Sequence, residues 1–188
     1  MTNASVLQLA TLAGCGLAIG RYPRFRYDGR GGGGLGQLGP AGADGRQSLS
    51  FDPAALQIPP LCSRTTRFLG LPLPPGLVIA IHPEQLAGSL DASSGALNLR
   101  FRSRFRFSVG AYTAPDLLID CELQSAAVQG ARHRGTGEPL NACGEALLVG
   151  VAVVQPSGEP WLDRFLGLPD EALAVLQCRL TATEVPCA

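Results

Sequence analysis

Between Leu97 and Val109 the chain alternates: Leu97, Leu99, Phe101, Phe105 and Phe107 are separated by Asn98, Arg100, Arg102, Arg104 and Arg106. Period two is the repeat of a β-strand with one buried face, so the rings are predicted to point inward and the guanidinium groups outward. Leu117 to Gln124 repeats the pattern, with Leu117, Ile119, Cys121 and Leu123 set against Asp120, Glu122 and Gln124. Tyr112 to Asp116, carrying Pro115, joins the two as a hairpin connection. Ala146 to Val154 is apolar at every position and reads as an interior strand covered on both faces. Ser48 to Phe51 and Leu77 to Ile81 read as further strands, and Leu176 to Thr183 as a closing one.

Short apolar runs separated by Pro and Gly predict a mainly β fold, an antiparallel β-sandwich or open barrel. Helix is confined to one or two short pieces between Ser157 and Ala174. Ser157 can cap, Pro160 suits a first turn, Gly167 and Pro169 stop the segment, and a second turn starts at Asp170. Residues 28 to 46 are dominated by glycine and read as a loop. Gly34, Gly36 and Gly39 match the dinucleotide spacing GxGxxG, but Pro40 and Gly42 stand where its helix would begin, so the match is rejected. Residues 1 to 20 hold an apolar run from Ala4 to Ile19, read as a strand or short helix of the same single domain, 1 to 188. Leu12-Ala13-Gly14-Cys15 resembles a lipoprotein cleavage box, yet no basic residue precedes the run and it is too short to span a membrane.

Composition narrows the functional classes. A chain of 188 residues with 46% hydrophobic and 16% charged residues can bury one core. Zero net charge argues against a dedicated nucleic-acid binder. All 15 basic residues are arginine, and without lysine the chain lacks the phosphate-reaching group of a P-loop, the kinase strand lysine and the amine of Schiff-base catalysis. The six cysteines contain no CxxC pair, so spacing predicts no metal site, and Cys62, Cys121 and Cys178 read as small core hydrophobes. No cofactor is expected.

Three features carry candidate chemistry. Arg100, Arg102, Arg104 and Arg106 form a ladder about 7 Å apart, from a rise of roughly 3.3 Å per residue, that could meet oxyanions or an acidic partner. Asp120 and Glu122 on the next strand would neutralise part of it. His82, expected to end a strand before Pro83, and His133, between Arg132 and Arg134, are the two histidines a motif-free enzyme would use, and no GxSxG elbow accompanies them. Finally, Arg67-Phe68-Leu69-Gly70-Leu71-Pro72 recurs as Arg164-Phe165-Leu166-Gly167-Leu168-Pro169. Each copy reads as a short helical turn with a glycine stop that plugs the core, or as an apolar loop (Phe68, Leu69, Leu71; Phe165, Leu166, Leu168) that contacts a membrane or partner.

The segments Tyr27-Asp28-Gly29-Arg30-Gly31-Gly32, Phe68 to Gly76, Phe105-Arg106-Phe107-Ser108-Val109-Gly110, Leu148 to Ala152 and Phe165 to Pro169 resemble those of a little-characterised family of small cyanobacterial and plastid proteins. The resemblance covers most of the chain after Arg21. It transfers no catalytic residue and implies a link with oxygenic photosynthetic organisms and their thylakoid membranes; the expected location is the cytoplasm, peripheral at the thylakoid membrane. The expected function is a non-enzymatic β domain that binds an apolar ligand, lipid or pigment, or docks on a membrane-protein assembly. The alternatives are an enzyme using His82 or His133, and anion or nucleic-acid binding by the Arg100 to Arg106 face. For the last, the interleaved aromatic rings point to the wrong side of the strand to stack on bases.

Overall fold

A computed structural model describes residues 5–183. The fold is mainly β: one large antiparallel sheet and one short helix. Of the two expected forms it takes the barrel, and the sheet returns to its starting strand.

The apolar amino-terminal run makes two strands, β1 (Ser5–Thr11) and β2 (Cys15–Ile19), separated by a bend. Gln177 holds the bend, accepting at its main-chain carbonyl from Leu12 N and at its side-chain oxygen from Gly14 N, both at 2.9 Å. After β3 (Phe25–Tyr27) comes β4 (Gly33–Ala41), in the segment expected to be a loop. Gly31 and Gly45 sit in turns at either side, but the glycines of β4 itself lie in the strand. Gly36 lies opposite Phe51 of β5 (Arg46–Phe51), and a Cβ on it would sit 2.5 Å from the Phe51 ring. Bare backbone on β4 makes room for that ring in the interior, which is why a strand can be this poor in side chains.

Two short strands, β6 (Thr66–Phe68) and β7 (Leu71–Pro72), form a tight hairpin over the first FLGLP sequence, with Leu69 (φ 51°) and Gly70 (φ 81°) at its tip. The expected helical turn is therefore absent, since two successive positive φ values make a hairpin turn. β8 runs from Leu77 to Asp91, well past the expected end at Ile81. Pro83 cannot donate to the ladder, and a register shift between Pro83 and Gln85 absorbs it as a bulge. β9 (Leu97–Val109) and β11 (Leu117–Gln124) have the expected bounds and pair in the expected antiparallel sense, with β10 (Tyr112–Thr113) folded back on the end of β9.

A small hairpin, β12 (Ala127–Gln129) with β13 (Arg134–Thr136), precedes β14 (Glu145–Val154). It packs Val128 against an outer apolar cluster of Ala18, Val149, Leu173 and Val175. That explains why β14 is apolar on both faces: its outer side lies under a hairpin. The helix α1 (Pro160–Leu166) has Pro160 in its first turn and stops at Gly167 in the left-handed conformation, as expected. Its N-cap is Glu159, however, and Ser157 instead donates to the Asp163 carboxylate at 2.7 Å. From Asp170 the chain forms no second helical turn but β15 (Asp170–Thr183).

β15 organises the closure. One edge pairs with β14; the other pairs with β1 from Cys178 to Thr183 and with β2 from Ala172 to Val175. The circuit β1, β4, β5, β8, β9, β11, β14, β15 thus closes on itself, while β2, β3, β6 and β7 leave it as a flap bridged back to β8 between Leu61 and Ile79. β11 and β14 meet in antiparallel register at Gln124 and Val149. Alternate side chains fill the interior, among them Leu9, Leu49, Leu99, Leu117, Leu148 and Cys178, all nearly inaccessible. Among the described residues no helix is long and apolar enough to cross a membrane.

Candidate functional site

The interior is not completely filled. At the end of the barrel covered by α1 lies a cavity of about 380 Å³, and beside it a second of about 100 Å³; Leu17, Leu61 and Phe105 line both. The alternation read from sequence builds their walls. β9 turns Phe105 and Phe107 inward, β11 supplies Leu117 and Ile119, β8 supplies Leu77 and Ile79, and β2 supplies Leu17 and Ile19. The larger cavity falls within the roughly 300–1,000 Å³ range of small-molecule sites, whose walls are mostly apolar with few polar groups.

Both FLGLP copies meet at the mouth of this cavity. Tyr22 stands between them, its ring centroid 6.4 Å from Phe68 and 5.5 Å from Phe165, and its hydroxyl donates to the Phe165 carbonyl at 2.6 Å. Phe25 packs on Phe68 at 4.6 Å. Trp161 also lines the cavity and donates from Nε1 to the Tyr112 hydroxyl at 2.9 Å, and that hydroxyl donates to Glu159 at 3.0 Å. The polar atoms of Tyr22, Trp161 and Tyr112 at the rim are therefore tied to protein partners. Of the apolar residues expected to act at a surface, Phe68, Phe165 and Leu166 line the cavity, Leu69 and Leu71 are 72% and 70% exposed, and Leu168 packs against the core.

The arginine ladder points outward from β9, as expected, and every member holds a carboxylate. Arg100 grips Asp120 through two hydrogen bonds (3.1 and 2.9 Å), and Arg106 grips Asp116 likewise (2.7 and 3.0 Å). Arg102 reaches Glu84 at 2.9 Å and Asp120 at 3.4 Å, while Arg104 bonds the other Glu84 oxygen. Sequence reasoning expected Glu122 as the second anion and missed Asp116 and Glu84. The signal for Glu84 was the proline before it: the bulge at Pro83 is what turns this carboxylate toward the ladder. Hydrogen bonds from these arginines hold Glu84, Asp116 and Asp120 below the usual carboxylate range.

His82 is exposed on the outer face of β8, opposite Arg104, and His133 lies in the β12–β13 connection; neither lines an interior cavity. Next to His133 is a group that sequence did not single out. Glu171 is only 7% exposed, and its carboxylate accepts the backbone N–H of Ala131, Arg132 and His133 at 2.7, 3.1 and 2.6 Å. Burial alone would raise its pKa, but these donors outweigh burial and hold the carboxyl below its ordinary range.

Cys15, Cys121 and Cys178 are buried, and burial pushes the last two thiols up to about 12. Cys62 is half-buried beside Thr65, and Cys187 lies outside the described residues. Cleavage before Cys15 would remove β1, which joins β4 to β15, so the lipoprotein reading does not fit this fold. Among the described residues no cluster of His, Cys, Asp and Glu has the arrangement of a metal site. Compared with known proteins, the chain matches no family model, no curated protein and no solved structure.

Proposed function

We propose that this β-barrel binds a single apolar ligand, a lipid or pigment, in the cavity beneath α1. The observation that carries the reading is the cavity itself. It has about 380 Å³ of space walled by aliphatic and aromatic side chains, with its tyrosine and tryptophan polar atoms already engaged elsewhere. Apolar surface around empty space loses both packing contacts and water exclusion, and an apolar guest restores both. By resemblance, the setting would be the periphery of a thylakoid membrane.

The enzyme and polyanion readings have less support. The two histidines stand outside the cavity, and the four ladder arginines are already occupied by carboxylates. The test is titration of the purified, solvent-extracted protein with a fluorescent polyene fatty acid, together with mass spectrometry of the extract. One-to-one saturable uptake, lost in Leu17→Trp, supports the proposal. No uptake by a folded wild-type barrel, with nothing apolar in the extract, overturns it.

A further inference from the structure

We propose that the mouth of the barrel docks on an anionic membrane surface, Leu69, Leu71 and Phe165 entering the acyl region while Arg24, Arg26 and Arg67 meet lipid phosphates. The inference rests on the reading that the barrel takes an apolar ligand, and it assigns the place where that ligand enters.

The first observation is the tip of the β6–β7 hairpin. Leu69 is the one non-glycine residue of positive φ among those described, and that conformation, unfavourable for a residue with a side chain, turns an aliphatic group into solvent. Leu71 follows at 70% exposed, and across the mouth Phe165 and Trp161 are 60% and 48% exposed. These four belong to the two elements that frame the cavity mouth, and they are among the most exposed large apolar side chains of the barrel.

The second observation is charge. Arg26 of β3 and Arg67 of β6 are direct cross-strand partners, Arg24 precedes Arg26 on the same face, and all three border one surface cleft with Leu69 and Gly70. Like charges placed opposite each other are destabilising. Among the described residues no carboxylate lies within ion-pair distance of these three arginines, and the Arg67 guanidinium reaches only main-chain carbonyls such as Ser63 O at 2.6 Å. On the far side of the mouth Arg21 and Arg164 border a second cleft with Phe165, where Asp170 is engaged by Arg132. The β9 arginines show the contrast: there the chain supplies its own carboxylates, whereas beside the exposed aliphatic tips Arg24, Arg26 and Arg67 have none within ion-pair distance among the described residues.

Exposed aliphatic tips beside arginines that have no carboxylate partner match the layering of an anionic bilayer surface, with phosphate above and acyl chain below. Docked this way, the mouth opens toward the lipid, and an apolar ligand passes into the cavity without crossing water.

The experiment is flotation with phosphatidylcholine vesicles, with and without phosphatidylglycerol, at low and physiological salt. Trp161, the single tryptophan of the chain, reports insertion by its emission. Expected are binding only when phosphatidylglycerol is present, weakening with salt, and a blue shift of Trp161. The Arg24→Gln/Arg26→Gln/Arg67→Gln variant should partition roughly a hundredfold less, from about fivefold per arginine near an anionic surface. Leu69→Ser/Leu71→Ser should lose the blue shift, and Arg104→Gln should bind as wild type does. All the altered residues are exposed, and circular dichroism checks folding. Wild type that ignores the vesicles, or self-associates through this face instead, overturns the inference, as does a triple variant that binds equally well. Fatty-acid uptake without vesicle binding sinks the docking alone; vesicle binding without uptake sinks the cavity reading alone.

Discussion

Tyr22 and Phe165 are joined twice, ring against ring at 5.5 Å and hydroxyl to main-chain carbonyl at 2.6 Å, so one side chain from the β2–β3 connection fastens α1 over the end of the barrel. Tyr22→Phe keeps the ring and deletes the hydrogen bond. The expected loss is about 1 kcal/mol in urea unfolding. Fatty-acid association should become faster, because the helix covering the cavity is then held by packing alone. Stopped-flow mixing reads the rate, and an unchanged rate with lowered stability would show that α1 does not gate entry.

Ser103 offers a test in the opposite direction. Its hydroxyl is completely buried on the inward face of β9 and has no hydrogen-bond partner. An unpaired buried hydroxyl is costly, so Ser103→Ala should leave the barrel as stable as wild type or more stable, by up to about 1 kcal/mol. The midpoint of urea denaturation decides it; a loss above that size would mean that the hydroxyl has a partner in solution.

Glu171 ties the β12–β13 hairpin to the barrel wall. Glu171→Ala leaves three N–H groups, of Ala131, Arg132 and His133, without their acceptor. A loss of roughly 2–3 kcal/mol follows. Amide exchange at those three residues should accelerate far more than exchange in β9. Uniform acceleration would instead indicate general destabilisation.

Acid should weaken the fold through its carboxylates. Glu84, Asp116, Asp120 and Glu171 all have folded pKa values below their ordinary ones. A depressed folded pKa means that the unfolded chain binds the proton first, so the stabilisation is complete above the unfolded value near 4 and disappears as pH falls through the folded value. The melting temperature should be flat from neutral pH down to about 5 and drop below about 4. Replacing Asp116 and Asp120 with Asn should flatten that drop. An equally steep drop in the double variant would assign acid sensitivity to other groups.

How far the sequence could be read followed the strength of each residue's local signal. β9 and β11 were legible to the residue because large apolar side chains and polar or charged ones alternate along most of both strands, so single exceptions such as Ser103 and Leu118 do not hide the period. β8 was cut short at Ile81 because proline normally ends a ladder, and only the three-dimensional bulge shows how the strand continues. β4 was hidden because its inward face is glycine, chosen to fit Phe51 from a neighbouring strand, a partner no local window contains. The two FLGLP copies show the same limit: identical letters form a hairpin tip at Leu69-Gly70 and a helix stop at Gly167, since the flanking strand or helix sets the backbone. The cavity was the least legible feature. Inward Leu, Ile and Phe spell a core whether the space between them is filled or empty.

The shared edge of β15 also bears on how the chain assembles. Val6 meets Thr183, so the first described strand, already paired with β4 on one edge, finds its second partner only once Asp170–Thr183 has been made. Until then β1 and β14 each present a bare row of amides and carbonyls beside apolar side chains, the kind of template on which nascent chains stick to one another. Assembly in the cell should therefore depend on holding that opening shielded until Asp170–Thr183 arrives, and fragments ending upstream of it should aggregate instead of yielding a smaller barrel.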